Sequence, residues 1–503
     1  MKIIDASDIS GELGFQITFA DGQTTSSAGA IAGAGDVNGD GIDDFVFGAP
    51  RTFAAAGEEP NQGAAVVVFG RRGGFDDVLE LSELSASEGF RLDGSENFQL
   101  AGFSVAAAGD VNGDGVDDLA VGAPENGIGG AYVVFGRQGG GFARRITLDE
   151  MTAAQGVRFE GFSSVEEAGF SIAGVGDVTG DGVDDLLIGA PGYVPGVGLG
   201  DPGAAWLVFG RDGGGFGRTV TLGDLDGSDG MVLTGEGQSA EVGAAVSAAG
   251  DVNGDGVADL LVGAPGDQSQ LSALGGAAFL AHGASEGSLI DGSASRSLFD
   301  LGRSSNQSDP TGGFVFGMNA QGDVFGSSGS GGGDVNGDGC DDILVGAPFF
   351  DTGPRALSLT GAEALPVREN AGAAYVLFGG PDLPRVAQAS TRDPATIGDL
   401  EFGEETGFRV FGETPYDQLG HAVAMAGDVT GDGLDDMLIG VRFADPHGRL
   451  DPDIPQPFAD GAVYVVYGRR GGFGAELRLE EMTLREGFRI DGVDGGSGNL
   501  GMG

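Results

Sequence analysis

The stretch DVNGDGVDDLAVGAP, which runs from Asp110 to Pro124, sets the architecture because close copies of it recur along the chain. Its first nine residues form an acidic loop sequence, and each copy is followed by a short apolar run that ends in a turn. The six copies span residues 36–44, 110–118, 177–185, 251–259, 334–342 and 428–436. A unit repeated in this way predicts one large repeat architecture instead of several unrelated domains.

Two further apolar runs accompany the acidic loops. Downstream lies a run that ends in glycine, such as AYVVFG at Gly136, and upstream lies a GF-type run, such as GFRLDG from Gly89. In five repeats the GF-type run begins 21 residues before the loop, so one folded unit is repeated in a fixed register. Runs rich in Val, Ile, Leu and Phe between Gly and Pro predict about four short buried strands per repeat, which is typical of a β-propeller blade.

The predicted organisation is a single all-β domain over residues 1–503, a β-propeller of four-stranded blades with six complete repeats and part of a seventh. A seventh GF-type run starts at Gly487, so we expect residues 487–503 to begin a further repeat. The chain is then either a piece of a longer product or a ring that its terminal strand closes with the N-terminal repeat. Residues 284–333 and 349–402 lengthen the spacing between successive acidic loops and are predicted to be long surface loop insertions.

The acidic loop D-x-[NT]-x-D-G-x-x-D has the oxygen donors that calcium prefers. Side-chain oxygens stand at positions 1, 3, 5 and 9, position 7 offers a carbonyl, and the glycine at position 6 permits a sharp turn. The predicted calcium ligands, about one ion per complete repeat, are Asp36, Asn38, Asp40, Asp44, Asp110, Asn112, Asp114, Asp118, Asp177, Thr179, Asp181, Asp185, Asp251, Asn253, Asp255, Asp259, Asp334, Asn336, Asp338, Asp342, Asp428, Thr430, Asp432 and Asp436. The predicted carbonyl ligands are Ile42, Val116, Val183, Val257, Cys340 and Leu434. The aspartate at position 8 is expected to face solvent or a second shell, because the fourth copy has Ala258 there.

The composition narrows the possible partners. With 76 Asp and Glu against 25 Lys and Arg, the formal net charge is −51, which argues against binding to nucleic acids and to anionic membranes. The single cysteine allows no intramolecular disulfide. The N-terminal sequence shows no signal peptide, and no apolar run is long enough to insert into a membrane. The oligomeric state is left open.

Groups that could perform catalysis are scarce. The three histidines, His282, His421 and His447, fall in no metal or triad spacing. Residues 283–287 match the nucleophile pattern G-x-S-x-G, but a chain so rich in glycine produces this match by chance, and no apolar helix follows it. We therefore expect a protein without catalytic residues.

The order GFSVA from Gly102, then DVNGDGVDD, then LAVGAP resembles the FG-GAP repeat of the integrin α-subunit head, and similar repeats occur in bacterial secreted and surface proteins. The resemblance covers nearly the whole chain. It implies a seven-bladed propeller with cation loops on one face and ligand-binding loops on the other. Integrin propellers carry the cation loop in only some blades, whereas all six repeats have it here, and no inserted ligand-binding domain is visible.

The predicted function is a calcium-binding extracellular or cell-surface propeller that binds a protein or glycan partner in adhesion. Calcium sites of extracellular modules need about 10⁻⁴ to 10⁻³ M calcium, which favours a secreted protein. Two alternatives stay open: a non-catalytic propeller attached to a phospholipase-like hydrolase, and a structural repeat of a larger secreted surface protein.

Overall fold

The computed structural model describes residues 2–6, 9, 14–18, 30–51, 62–95, 99–125, 128–161, 166–194, 201–235, 239–266, 275–283, 292–298, 313–318, 322–352, 368–380, 395–397, 400–445 and 460–492. These residues form six five-stranded β-sheets and one two-stranded sheet, with helical structure limited to short 3-10 turns such as Leu148–Glu150. The prediction of an all-β propeller with six complete repeats is confirmed, because the described residues form six blades.

The six sheets are the blades, numbered here in chain order. Blade 1 contains β3 (Ile31–Gly35), β4 (Asp44–Ala49), β5 (Ala64–Val68), β7 (Gly89–Asp93) and β11 (Arg145–Thr147). Blade 2 contains β8 (Val105–Gly109), β9 (Asp118–Gly122), β10 (Gly130–Val134), β12 (Gly156–Glu160) and β16 (Thr219–Thr221). Blade 3 contains β13 (Ser171–Gly176), β14 (Asp185–Ala190), β15 (Ala204–Val208), β17 (Gly230–Thr234) and β21 (Ser295–Ser297).

The remaining strands follow the same plan. Blade 4 contains β18 (Ala245–Gly250), β19 (Asp259–Ala264), β20 (Ala277–Ala281), β22 (Gly313–Gly317) and β26 (Ala395–Thr396). Blade 5 contains β23 (Gly329–Gly333), β24 (Asp342–Ala347), β25 (Ala373–Leu377), β27 (Gly407–Phe411) and β31 (Glu476–Leu477). Blade 6 contains β28 (Leu419–Gly427), β29 (Asp436–Val441), β30 (Ala462–Val466), β32 (Gly487–Asp491) and β1 (Lys2–Asp5). The two-stranded sheet pairs β2 (Gln16–Thr18) with β6 (Val78–Glu80).

Each blade has one strand more than the sequence analysis predicted. Its first four strands are antiparallel, as in β3, β4, β5 and β7. The fifth strand runs parallel to the fourth. In blades 1 to 5 it comes from a later part of the chain, as β11 pairs with β7, and in blade 6 it is the N-terminal β1. The GF-type runs are the fourth strands, so each closes the blade of the preceding acidic loop. Gly487 therefore lies at the start of the fourth strand of blade 6, and residues 493–503 lie outside the described residues.

The predicted insertions contain blade strands. The segment 284–333 includes β21, β22 and β23, and the segment 349–402 includes β25 and β26. These parts are therefore not surface loops. Most of the other residues of both segments lie outside the described part of the chain.

The core lies between neighbouring blades. Strand β14 is buried along its whole length, because one face packs on the preceding blade and the other on the following blade. This two-sided burial explains why the second and third strands are continuous apolar runs without a polar alternation. The first strands lie side by side, with β8 in contact with β3 and β13. The six loops that follow these strands are thereby brought to one end of the propeller.

Adjacent acidic loops are joined by the aspartate at position 8, which corrects the expectation that it faces solvent or a second shell. The carboxylate of Asp184 in blade 3 accepts the backbone N–H of Asp110 in blade 2 at 2.8 Å, and the N–H of Asp184 donates to the carbonyl of Asp110 at 3.4 Å. Three other carboxylates accept the same bond from the preceding loop: Asp117 from Asp36, Asp341 from Asp251 and Asp435 from Asp334. Ala258 cannot make this bond, so blades 3 and 4 lack it.

At the opposite end of the blades, hydrogen bonds join two parts of the chain. One is the connection from the fourth strand of one blade to the first strand of the next, and the other is the third strand of that next blade. Gln99 Nε2 donates to the Tyr132 hydroxyl at 2.5 Å, and Trp206 Nε1 donates to Glu166 at 3.2 Å. In blade 6 the corresponding residue is Asp417, which is buried, and burial raises the pKa of its carboxyl to about 7 in spite of Arg489 nearby. These pairs fix the blade end away from the acidic loops.

The bond between position 8 and the preceding loop is tested by Asp184→Ala, which removes the side-chain acceptor of the partly buried N–H of Asp110. We expect unfolding free energy to fall by about 1–3 kcal/mol, measured by urea denaturation in calcium buffer. The matched control is Asp43→Ala, because exposed Asp43 has the same position in the first loop. Its effect should stay within about 0.5 kcal/mol. Equal effects of the two variants would contradict the assignment.

The raised pKa of Asp417 predicts a pH dependence. Because the folded-state pKa of about 7 lies above the ordinary 3.8, the contribution of this carboxyl is complete below pH 3.8 and is lost as pH rises through 7. Asp417→Asn imitates the protonated form and removes this loss. From pH 5 to pH 8, the wild type should lose about 2 kcal/mol more unfolding free energy than the variant in urea titrations. Parallel curves would refute the prediction, and Asp201→Asn, at an exposed site, is the charge-matched control.

Candidate metal centres

The acidic loops join the first and second strands of every blade. In blade 2 the loop begins at Asp110, directly after β8, and ends at Asp118, the first residue of β9. The corresponding residues lie in the same places in the other five blades. All predicted side-chain and carbonyl ligands of one repeat therefore belong to one turn, as the sequence indicated.

Carboxylates at positions 1 and 5 shape the turn. Asp110 accepts the N–H of Asp114 at 2.9 Å and that of Gly115 at 2.7 Å, and Asp114 accepts the N–H of Val116 at 3.0 Å. The other five loops form the same three bonds. Gly113 and Gly115 adopt φ values of +71° and +85°, which favour glycine at positions 4 and 6. The loop is thus a compact turn with carboxylates at its surface.

The aspartate at position 9 is buried and holds the turn to the third strand. Asp118 has no exposed surface, and it accepts the N–H of Gly136 at 2.8 Å and the side-chain amide of Asn112 at 3.0 Å. The same glycine bond occurs in each of the other blades, from Gly70, Gly210, Gly283, Gly379 and Gly468. Sequence reasoning missed these glycines as partners of the loop, although the glycine that ends every third-strand run was the signal.

Burial makes the charge at position 9 costly. Desolvation, together with the neighbouring carboxylates of Asp114 and Asp110, raises the pKa of Asp118 to about 8. The pKa of Asp342 rises to about 8, and the pKa values of Asp44 and Asp185 rise to about 7, again chiefly because of burial. A cation beside these groups would favour their charged form.

The oxygen donors of each loop are of the type that a hard divalent cation prefers, but they are not arranged around one common centre. Within the described ranges, no group of three or more His, Cys, Asp or Glu side chains is placed to hold a metal ion. The carboxylates at positions 1 and 5 accept backbone N–H groups, but each carboxylate oxygen has a second lone pair available for a ligand. The calcium ligands named above therefore remain a prediction.

The described histidines lie in different surroundings. His421 Nε2 is 2.9 Å from Arg442 Nη1, and burial together with Arg442 lowers the pKa of the imidazole to about 4. His282 occupies the place of Phe135 at the end of a third strand, with Nδ1 3.1 Å from the Asp259 carboxylate. His447 and residues 284–287 of the G-x-S-x-G match lie outside the described residues. The expectation of no catalytic residue stays a prediction.

Comparison with known proteins places these loops in a family. The model of the FG-GAP repeat family matches residues 28–68, 101–141, 168–208, 242–276 and 325–377, each of which includes an acidic loop and its flanking strands. Integrin alpha-PS5 of Drosophila melanogaster is 35% identical over 159 residues, which are 32% of this chain and 14% of that protein. Integrin alpha-7 of Homo sapiens is 30% identical over 188 residues, which are 37% of this chain and 14% of that protein.

The similarity to integrins is confined to part of their length, since the match to Integrin alpha pat-2 of Caenorhabditis elegans also spans 14% of that protein, at 29% identity. Among the residues described, no helix has the length and apolar character needed to cross a membrane. The repeat matches, the integrin similarity and the ring of blades agree with one another. The chain therefore contains five FG-GAP repeats, and its β-propeller is similar to integrin α chains in sequence.

Proposed function

We propose that this chain is a calcium-binding extracellular β-propeller that serves as a binding or adhesion module for a protein or glycan partner. The observation that carries the calcium part is the sixfold recurrence of one acidic turn at the same end of every blade. Each copy supplies side-chain oxygens at positions 1, 3, 5 and 9 and a carbonyl at position 7, which is the donor type that calcium takes.

Electrostatics support the same proposal. In blade 2, four carboxylates belong to a single nine-residue turn, and two of them, Asp110 and Asp114, help to raise the pKa of Asp118. A divalent cation among them would replace repulsion with attraction and offset the desolvation of Asp118. Six such ions would leave the protein strongly acidic, which suits a saline extracellular setting.

The proposed adhesion role rests on the similarity to integrin α chains and on the geometry of the blades. The six acidic loops lie at one end of the propeller, so a rigid scaffold would present neighbouring connections to a partner. Calcium would hold one end of each blade rigid, and the connections at the other end would be free to bind. The strong negative charge favours a partner with a basic or neutral surface over one that carries phosphates.

Removal of calcium should destabilise the protein. Ions bound only to the folded state stabilise it by about 2.7 kcal/mol per site at a hundredfold excess over Kd. We expect the Tm in millimolar calcium to fall by more than 10 °C after addition of chelator, and equilibrium dialysis to count about six ions per chain. An unchanged Tm together with no bound ion would refute the calcium proposal.

A single loop is tested by Asp114→Asn, which removes one charge and keeps an oxygen that can accept the N–H of Val116. One bound ion should be lost, and the calcium-dependent rise in Tm should shrink. Asp201→Asn changes charge by the same amount at an exposed site outside the loops, and it should retain every ion. Loss of an ion in both variants would indicate a nonspecific effect of charge.

The binding role is tested with the intact chain on arrays of immobilised extracellular proteins and glycans. Calcium-dependent capture by a defined protein or glycan, lost in chelator, would support the adhesion proposal. Calcium binding without any such capture would support the calcium-binding part of the proposal and refute the adhesion part.

A further inference from the structure

Four of the six acidic loops carry asparagine followed by glycine at positions 3 and 4. An asparagine in this sequence can form a cyclic imide with the backbone nitrogen of the next residue, because glycine has no side chain to block their approach. Threonine, which replaces asparagine in the third and sixth loops, cannot react in this way. The four pairs are Asn38-Gly39, Asn112-Gly113, Asn253-Gly254 and Asn336-Gly337.

The first two loops hold their asparagine in place. Asn38 and Asn112 are only 5% and 4% exposed. Nδ2 of Asn112 donates to both carboxylate oxygens of Asp118 at 3.0 Å, and Nδ2 of Asn38 donates to Asp44 at 3.3 Å. The N–H of Gly113 has no partner among the described residues, so the second loop is protected by its asparagine alone. In both loops the nitrogen that would leave is bound to a buried carboxylate.

The fifth loop is restrained by other contacts. Asn336 is partly exposed, but its Nδ2 donates to Oδ2 of Asp338 at 2.9 Å. The N–H of Gly337 donates to Oδ1 of Asp334 at 2.7 Å. This bond must be given up before the Gly337 nitrogen can act as a nucleophile. Both the attacking and the leaving nitrogen are therefore held.

The fourth loop has neither restraint. Asn253 is partly exposed and Gly254 is exposed. Within the described ranges, neither Nδ2 of Asn253 nor the N–H of Gly254 has a hydrogen-bond partner. Oδ1 of Asn253 accepts the N–H of Asp255 at 2.8 Å, and Asp251 accepts the same N–H at 2.9 Å. A donor in this place stabilises the negative charge that develops on Oδ1 when a nucleophile adds to the carbonyl.

We propose that Asn253 is a site of spontaneous deamidation, which proceeds faster there than at the other three asparagine–glycine pairs of the folded chain. The nitrogen of Gly254 forms a bond to Cγ of Asn253 and gives its proton to water. The Cγ–Nδ2 bond breaks, and the leaving nitrogen takes up a proton from water and departs as ammonia. A water molecule then opens the five-membered imide to aspartate or isoaspartate at position 253. The proposal goes beyond the proposed function and does not depend on calcium binding.

The reaction changes the fourth loop with the age of the protein. Aspartate at position 3 adds one negative charge to a turn that already has carboxylates at positions 1, 5 and 9. Isoaspartate adds one carbon atom to the backbone of the turn. Either product alters the donor set of this loop and leaves the other five loops unchanged.

The experiment incubates the intact chain for several days at neutral pH in chelator, below the Tm measured in that buffer. Peptide mass spectrometry then gives the deamidated fraction at each of the four asparagines. We expect deamidation at Asn253 to be about tenfold faster than at Asn336, and faster still than at Asn38 and Asn112. In urea the four rates should be equal, because the local sequences are nearly identical. Equal rates in the folded chain, or a faster reaction at another of the four, would overturn the proposal.

Two matched variants test the assignment through the ammonia that is released. Asn253→Gln keeps an amide but lengthens the side chain by one methylene group, so the five-membered imide cannot form, and the early release of ammonia should disappear. Asn336→Gln makes the same change at the same position of the next loop and should leave this early release unchanged. An equal loss in the two variants would contradict the special reactivity of Asn253.

Discussion

The buried aspartate at the end of each acidic loop is the constraint on which the blade depends. Asp118 begins the second strand, accepts a bond from the glycine that ends the third strand, and lies beside the turn that follows the first strand. One carboxylate thus joins three strands at one point. Its burial would be unfavourable without these donors, because an ionised carboxylate in the core loses its hydration. The same requirement repeats in all six blades and explains why this aspartate is present in every copy.

The link between loops at position 8 joins four of the five pairs of consecutive blades. Each blade of a repeat protein contacts only its neighbours, so the energy of every interface contributes separately to stability. Blade 4 departs from this pattern in two ways. Ala258 at position 8 cannot form the link to blade 3, and the imidazole of His282 lies beside the carboxylate of Asp259. The fourth loop consequently has a different electrostatic neighbourhood from the other five. If the loops bind calcium as proposed, this difference favours weaker binding in the fourth loop.

Local sequence pattern predicted the loops and the first four strands because each has a strong local signal. The acidic nonapeptide sets a turn between two strands, and continuous apolar runs mark strands buried on both faces. The fifth strands carry no such signal, since β11 and β16 have three residues each and one exposed end. The partner of a GF-type run was also beyond local pattern. The pairing of β7 with β5 depends on how all the strands of the blade are arranged. The fixed spacing between a GF-type run and the next acidic loop suggested instead that the run belongs to the blade of that next loop.

The role of Asp184 shows why the site was only partly predictable. Its sequence context differs little from that of Asp185, yet one side chain leaves the blade toward the preceding loop and the other turns into the core. Successive residues at the start of a strand point to opposite sides, so adjacent aspartates perform different tasks. The proposed metal ligation would account for position 9 but not for position 8. Four of the five aspartates at position 8 accept the N–H of the preceding loop, so the constraint on them comes from the neighbouring blade. The sequence of one repeat alone does not show this contact, because it joins two blades.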